Sequence, residues 1–291
     1  QSYYFFKPDS CLILTLQGLD LSRKLKYTRG EVEALKMAGE AYRFLGDYPK
    51  SLEMQLGALQ IFGEAKNQEA AAGAKGFIGF TYLEMEEYRQ ALQYLLPAKP
   101  VLEKANNTIS ASFVSSHIAS CYTMLGVPDS AKYYNLEALR LMEFKAYPPL
   151  RTLVYIRLGD MYEKSGFFSE ALNWYHRSLY YSNLSGIKVN ISRSQTLLAN
   201  LHFNQGQTDS ALYYARQAYV NSMFDLQKPH ILDASKLLSD IYHQKGNIDS
   251  AFYYQGVSIK MKDNIYGVAQ FRKLQLLMLE EQKRQQLIVQ E

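Results

Sequence analysis

The stretch Leu198–Tyr219, LANLHFNQGQTDSALYYARQAY, joins two helical patterns at Gly206, and the rest of the chain repeats its plan at a fixed interval. Steps of 40 residues back from Ala211 reach Ala171, Ala131, Ala91, Ser51 and Cys11, and one step forward reaches Ala251. All are small. The same steps from His202 reach Tyr162, Tyr122, Tyr82, Tyr42 and Tyr242, while Gly206 is matched by Gly166, Gly126, Gly46 and Gly246. Only Glu86 breaks the glycine column. A period held over so many units without insertion marks a solenoid, in which each unit buries its apolar face against its neighbours.

Each unit reads as a helical hairpin. Leu158, Met161 and Tyr162 have helical spacing before Gly166, and Phe168, Ala171, Leu172, Tyr175 and Leu179 have it again after. Glycine suits the left-handed end of the first helix, and the Asp-Ser pairs at 9–10, 129–130, 209–210 and 249–250 suit the start of the second. The small residue that follows lets the two helices approach.

The order Gly159, Tyr162, Gly166, Ala171, Ser178 resembles the tetratricopeptide repeat, here with a 40-residue unit in place of the usual 34. The resemblance runs from about Phe6 to Ile259 and implies an all-α, right-handed superhelix. It predicts an N-terminal half-repeat and connector (1–31) and six hairpins (32–71, 72–111, 112–151, 152–191, 192–231 and 232–271), the repeats proper closing by 265. A capping or connector helix is predicted over 266–291. The chain begins in mid-repeat, because Lys7-Pro8-Asp9-Ser10 aligns with Val127-Pro128-Asp129-Ser130. Either a partner helix precedes it in a longer protein, or a removed leader ended near Gln1. Repeat two is the odd unit, with Glu86 for glycine and with Pro97 and Pro100 in its second helix, where a kink is expected.

Composition narrows the function classes. Of 291 residues, 47% are apolar and 24 are Tyr, ample for a continuous core. The Tyr pairs 133–134, 213–214 and 253–254 are expected to pack against the next hairpin. Net charge is +4 with Lys and Arg dispersed, so no basic stripe points to nucleic acid. The uncharged span Ala105–Pro128 is too polar to cross a bilayer. Cys11 and Cys121 lie nearly three units apart and cannot pair, which leaves the compartment open. His117, His176, His202, His230 and His243 have no metal-ligand spacing, and Gly73, Gly76 and Gly79 fall within a helix pattern instead of a phosphate loop. No metal, cofactor or catalytic constellation is expected, and the fragment reads as non-enzymatic.

In the resembled family the first helices line a concave groove. The 40-residue register puts there Lys36 and Arg43 of repeat one, Phe80 and Leu83 of repeat two, and Phe113 of repeat three. Leu153 and Ile156 follow in repeat four and Arg193 and Phe203 in repeat five, giving an apolar centre with charged ends. A protein or peptide segment is the expected occupant, with room made by the glycines of repeat two; the other reading is that these residues fill a tight superhelix. The chaperone-tail clamp of the family is not matched, since Lys36 is followed by Glu40 where Asn is needed.

The DSA-x-YY second helices, Tyr266-Gly-Val-Ala-Gln270 and the polar helix after it resemble the sensor region of Bacteroidetes-type sensor histidine kinases with tetratricopeptide repeats. That resemblance implies an extracytoplasmic, periplasmic binding region of a longer membrane-anchored two-component protein carrying a C-terminal kinase module. Leu274, Met278, Glu281, Gln285 and Ile288 would form a weak homodimer seam. The alternative is a free-standing cytoplasmic scaffold or peptide-responsive transcriptional regulator.

Overall fold

The computed structural model describes residues 8–142, 148–224 and 228–265, and all regular structure among them is helical. The helices are α1 (Pro8–Lys24), α2 (Thr28–Phe44), α3 (Tyr48–Glu64), α4 (Gln68–Glu84), α5 (Tyr88–Lys104), α6 (Thr108–Met124) and α7 (Pro128–Met142). After these come α8 (Pro148–Lys164), α9 (Phe168–Ser185), α10 (Lys188–Asn204), α11 (Thr208–Phe224) and α12 (Lys228–Gln244), then α13 over 248–265. The chain divides into two compact units, Gln1–Asn190 and Ile191–Glu291. In each, consecutive antiparallel helices pack as hairpins of the tetratricopeptide type, and in the first unit α6 also packs on α4 and on α8. Among the described residues no helix is long and apolar enough to cross a membrane. The helix expected over 266–291, with its dimer seam, lies outside the described residues, as do the side chains of Asp9, Ser10 and Cys11.

The helices start at 8, 28, 48 and onward in steps of 20 to 248, so each 40-residue repeat is two similar halves. A left-handed residue recurs on the same beat: Lys26, Gly46, Lys66, Glu86, Asn106, Gly126, Gly166, Gly186, Gly206 and Gly246, with φ between 51° and 81°. One turn type therefore links both first-to-second and second-to-first helices. At Gly126 the amide of Val127 donates to Tyr122 O and that of Gly126 to Thr123 O. At Glu86 the amides of Glu87 and Glu86 donate to Tyr82 O and Leu83 O in the same pattern. Glu86 breaks the column in residue type and keeps its conformation.

Caps sit two positions before the Asp of the Asp-Ser pairs. Asp47, Asn67, Asn107 and Asn247 accept from the amides of Lys50, Ala70, Ser110 and Ser250. Asp129 and Asp209 lie inside the first turn, where a carboxylate favours the helix dipole.

The small-residue column lies in the interior of the hairpins: Ser51, Ala91, Ala131, Ala171 and Ala211 are fully buried. Opposite it, a Cβ on Gly79 would lie 2.5 Å from Leu95 Cγ, and one on Gly76 would lie 2.9 Å from Val114 Cγ2. These two glycines bring α4 against α5 and α6, so they do not make room for a ligand. Helix α5 runs through Pro97 and Pro100 as one element. Both prolines are exposed, so water can satisfy the carbonyls they leave free.

The tyrosine pairs pack mainly inside their own hairpin. Tyr134 stacks on Tyr122, Tyr214 on His202 and Tyr254 on Tyr242, with centroids 5.6–5.7 Å apart. Across to the neighbouring hairpin, Tyr254 meets Tyr219 edge-on at 5.3 Å and Tyr253 interacts with Tyr219 as well. The first members, Tyr133, Tyr213 and Tyr253, stay exposed.

Candidate functional site

The first helices of the first unit, α2, α4, α6 and α8, carry a continuous polar and aromatic strip. It starts at Arg43, whose Nη1 donates to both oxygens of Glu84 (2.8 and 2.9 Å) and whose Nη2 donates to Glu40 (2.9 Å). Its guanidinium lies 4.5 Å from the Phe44 ring and 4.3 Å from the Phe80 ring. Burial opposes the charge, but Glu40 and Glu84 outweigh it and hold the group above its ordinary pKa. Phe80 then meets Phe113 and His117, with centroids 5.7 and 4.2 Å away, and Phe113 also touches Phe77 at 5.5 Å.

His117 is fully buried on α6. Its Nδ1 is 2.6 Å from the Phe113 carbonyl, which can only accept, so Nδ1 carries the proton. Nε2 is then bare and accepts from Arg157 Nη2 of α8 at 3.0 Å. Burial, and after it the neighbouring Arg157 charge, pushes the imidazole well below its usual pKa and keeps it neutral. Arg157 Nη1 donates to Ser116 Oγ at 3.1 Å, and Ser116 donates in turn to Phe113 O.

Beyond Arg157 the strip opens. A cleft of about 330 Å³ between α6 and α8 is lined by Ser120, Thr123 and Met124 on one wall and Arg157, Asp160, Glu163 and Lys164 on the other. From behind, Tyr175 of α9 reaches across its hairpin, through space that exists because residue 159 is glycine: a Cβ there would lie 2.3 Å from the ring. The fully buried Tyr175 presents its hydroxyl to Glu163 Oε2 (2.6 Å) and Asp160 Oδ1 (2.8 Å). Burial, and then the Asp160 charge, raises its pKa, so it stays a donor.

The residues expected to line a groove divide among several roles. Lys36 is half-exposed and pairs with Glu33 at 3.0 Å. Arg43, Phe80 and Phe113 form the start of the strip, tied to one another instead of open. Leu83 packs into the α4–α6 core, Leu153 against the α7–α8 core, and Ile156 is 1% exposed. The apolar end of the expected row is thus packing, while its continuation at 120, 123, 160 and 163 borders the cleft. In the second unit Arg193 is exposed on α10, and Phe203 packs against a core of α10–α13 residues. His230 of α12 is brought down to about 4 by burial and by Arg193.

His117, Arg157, Lys164 and Tyr175 belong to the strip and the cleft, and the groove register leaves them out. A signal for two of them existed. The column Met37, Phe77, His117, Arg157, Leu197, Leu237 is apolar except in two consecutive repeats. Two adjacent polar side chains at a core position are best satisfied by each other.

No protein-family model matches the chain. Solved structures share its fold at low sequence identity. A Rap protein complexed with competence and sporulation factor is 16% identical, with 92% of this chain and 74% of that one covered at a TM-score of 0.66. The Rap conjugation gene regulator of a plasmid, in complex with a Phr peptide, is 15% identical, with 85% and 78% covered at 0.64. A signal-transduction ATPase with a tetratricopeptide repeat sensor from Pyrococcus horikoshii is 18% identical, with 85% and 40% covered at 0.62. At these identities the likeness concerns the fold.

Proposed function

We propose that this chain is a peptide-binding repeat domain whose ligand lies along the first helices of residues 1–190 and enters the cleft between α6 and α8. The observation that carries this reading is that cleft: the strip is closed by its own contacts from Arg43 to Arg157 and opens beyond Arg157. The neighbour that is a regulator in complex with a peptide supports the alternative of a peptide-responsive regulator over the extracytoplasmic sensor of a histidine kinase. No catalytic role is proposed for the site. The hydroxyls of Ser120 and Thr123 spend their protons on the helix carbonyls of Ser116 and Ala119, and the one buried imidazole beside them already has both nitrogens engaged.

The test is selection of peptides from a displayed random library on the immobilised chain, followed by binding to Thr123→Trp. Thr123 is partly exposed at the mouth, so the indole fills the cleft without entering the core. Selected peptides are expected to lose roughly tenfold or more in affinity, with circular dichroism and melting unchanged. Equal binding by the folded variant would remove the cleft from the ligand path.

A further inference from the structure

A weak contact bridges the mouth of the cleft. Met124 ends α6 and Lys164 ends α8, at the same place in consecutive repeats, so the two residues meet from opposite walls. Lys164 Nζ donates to Met124 Sδ at 2.7 Å. A thioether is a poor acceptor for an ammonium. One repeat earlier the same register position holds Glu84, whose carboxylate oxygens both accept from Arg43. At 124 the cation is in place on the neighbouring helix and the acceptor is sulfur instead of oxygen. Met124 is also 48% exposed, whereas Met142 and Met161 are buried.

We propose that Met124 is an oxidation site and that its sulfoxide clasps Lys164 across the cleft. The oxidant is hydrogen peroxide. A sulfur lone pair attacks one peroxide oxygen, the S–O bond forms as the O–O bond breaks, and the departing hydroxide takes the proton of the transferred oxygen and leaves as water. Sulfur gives up the electron pair that the peroxide gains. The new oxygen holds the negative end of the S–O dipole and sits one bond from an atom that Lys164 already touches. A charge-assisted hydrogen bond to oxygen then replaces the contact with sulfur, and such bonds are the strong ones. The ends of α6 and α8 are tied together, and the clasp opposes ligand entry while the sulfoxide lasts. A methionine sulfoxide reductase drawing on thiols reverses the step, the oxygen leaving as water and the thiols as a disulfide. Control of a ligand by the clasp rests on the peptide-binding reading; the oxidation and the clasp itself do not.

The intact chain would be treated with dilute hydrogen peroxide and its oxidised residues mapped by mass spectrometry. Met124 is expected to convert while Met142 and Met161 do not; Met37 and Met223, exposed but away from the cleft, report general accessibility. The clasp is read by acetylating lysines with an N-hydroxysuccinimide ester. Lys164 should label several-fold more slowly in the oxidised chain, with other lysines unchanged. Met124→Gln, which offers Lys164 a permanent amide oxygen, should slow that labelling without peroxide, and in Met124→Leu peroxide should change nothing at Lys164. Peptides selected on the untreated chain should bind several-fold more weakly after peroxide, a loss that Met124→Leu should not show. Met124 left intact where Met37 and Met223 convert overturns the proposal, as does labelling of Lys164 that peroxide leaves unaltered. If labelling slows as expected while neither peroxide nor Thr123→Trp affects peptide binding, the peptide path fails and the clasp stands. If Thr123→Trp blocks peptides and peroxide changes neither labelling nor binding, the path stands and the clasp is removed. Should labelling slow and Thr123→Trp block peptides while peroxide does not, the clasp exists without controlling the ligand, and that part of the proposal falls.

Discussion

In residues 1–190, α6 and α8 carry His117 and Arg157 at the register position where α10 and α12, in residues 191–291, carry Leu197 and Leu237. His117, Arg157 and Leu237 are all buried. The aliphatic pair gains from leaving water with nothing further required. The polar pair is stable only while each member satisfies the other, and its satisfaction fixes the His117 tautomer and the direction of Arg157. The rows beside this column differ in step. Ser120, Thr123, Asp160 and Glu163 border a cleft in the first unit, whereas Asp233, Lys236, Asp240 and His243 on α12 stand exposed. A repeat scaffold can thus hold one backbone geometry and vary its inner face by changing two residues 40 positions apart.

The largest expected effect breaks the first unit alone. Phe113 packs among Phe77, Phe80 and His117 and against the cores on both sides of it. Phe113→Asp buries a carboxylate in place of a ring and should cost about 4 kcal/mol or more. Hydrogen exchange should show lost protection in α4–α8, while α11 and α12 keep theirs, since stability in repeat arrays passes between neighbours. Unchanged exchange throughout would mean that Phe113 faces an open groove, as its register position first suggested.

An intermediate effect concerns acid. His117 has a folded pKa below the ordinary value near 6.5, so the unfolded chain takes up a proton that the folded chain refuses as pH falls beneath about 6.5. The stability that neutral His117 contributes is complete above that pH and declines below it, by about 1.4 kcal/mol per pH unit while the folded imidazole stays neutral. His230 adds the same sense of change to the second unit between about 6.5 and its folded value of about 4. The double substitution His117→Leu with Arg157→Leu gives the first unit the second unit's pair. It should fold and flatten the acid decline of the first unit's exchange protection, leaving that of the second in place. Arg157→Leu alone, which orphans His117 Nε2 and removes the donor that Ser116 Oγ accepts from, should cost about 2–3 kcal/mol. Equal acid sensitivity of wild type and the double variant would show that His117 does not govern it.

The smallest effect lies in the turns, where both units share one geometry. Gly206 and Gly246 hold the left-handed position in the second unit, and Glu86 holds it in the first with φ 64°. Glu86→Gly should relieve about 1 kcal/mol of backbone strain and raise the melting temperature by about 2–4 °C. A lowered melting temperature would indicate that the Glu86 side chain supplies more than the turn loses.

Sequence alone determined the repeat. A hairpin needs small residues at the helix crossing and a left-handed residue after the first helix, and both demands recur in register with the backbone, so they appear as columns at Ala211 and Gly206. It also set the groove rows of Phe113, Leu153 and Ile156, whose continuation reaches Ser120, Thr123, Asp160 and Glu163, because side-chain direction on a helix follows from spacing. Tertiary structure decided which of those positions stay open. Ile156 and Leu83 are covered by neighbouring helices, and Gly76 and Gly79 are filled by Val114 and Leu95. Glu86 is left-handed because it closes the same hydrogen-bonded turn as the glycines of its column. His117, Arg157 and Tyr175 join one site because helices 40 residues apart stack and Gly159 leaves a path through its hairpin. Periodicity fixes the direction in which a side chain leaves its helix; what it meets there depends on the size and polarity of residues one repeat away.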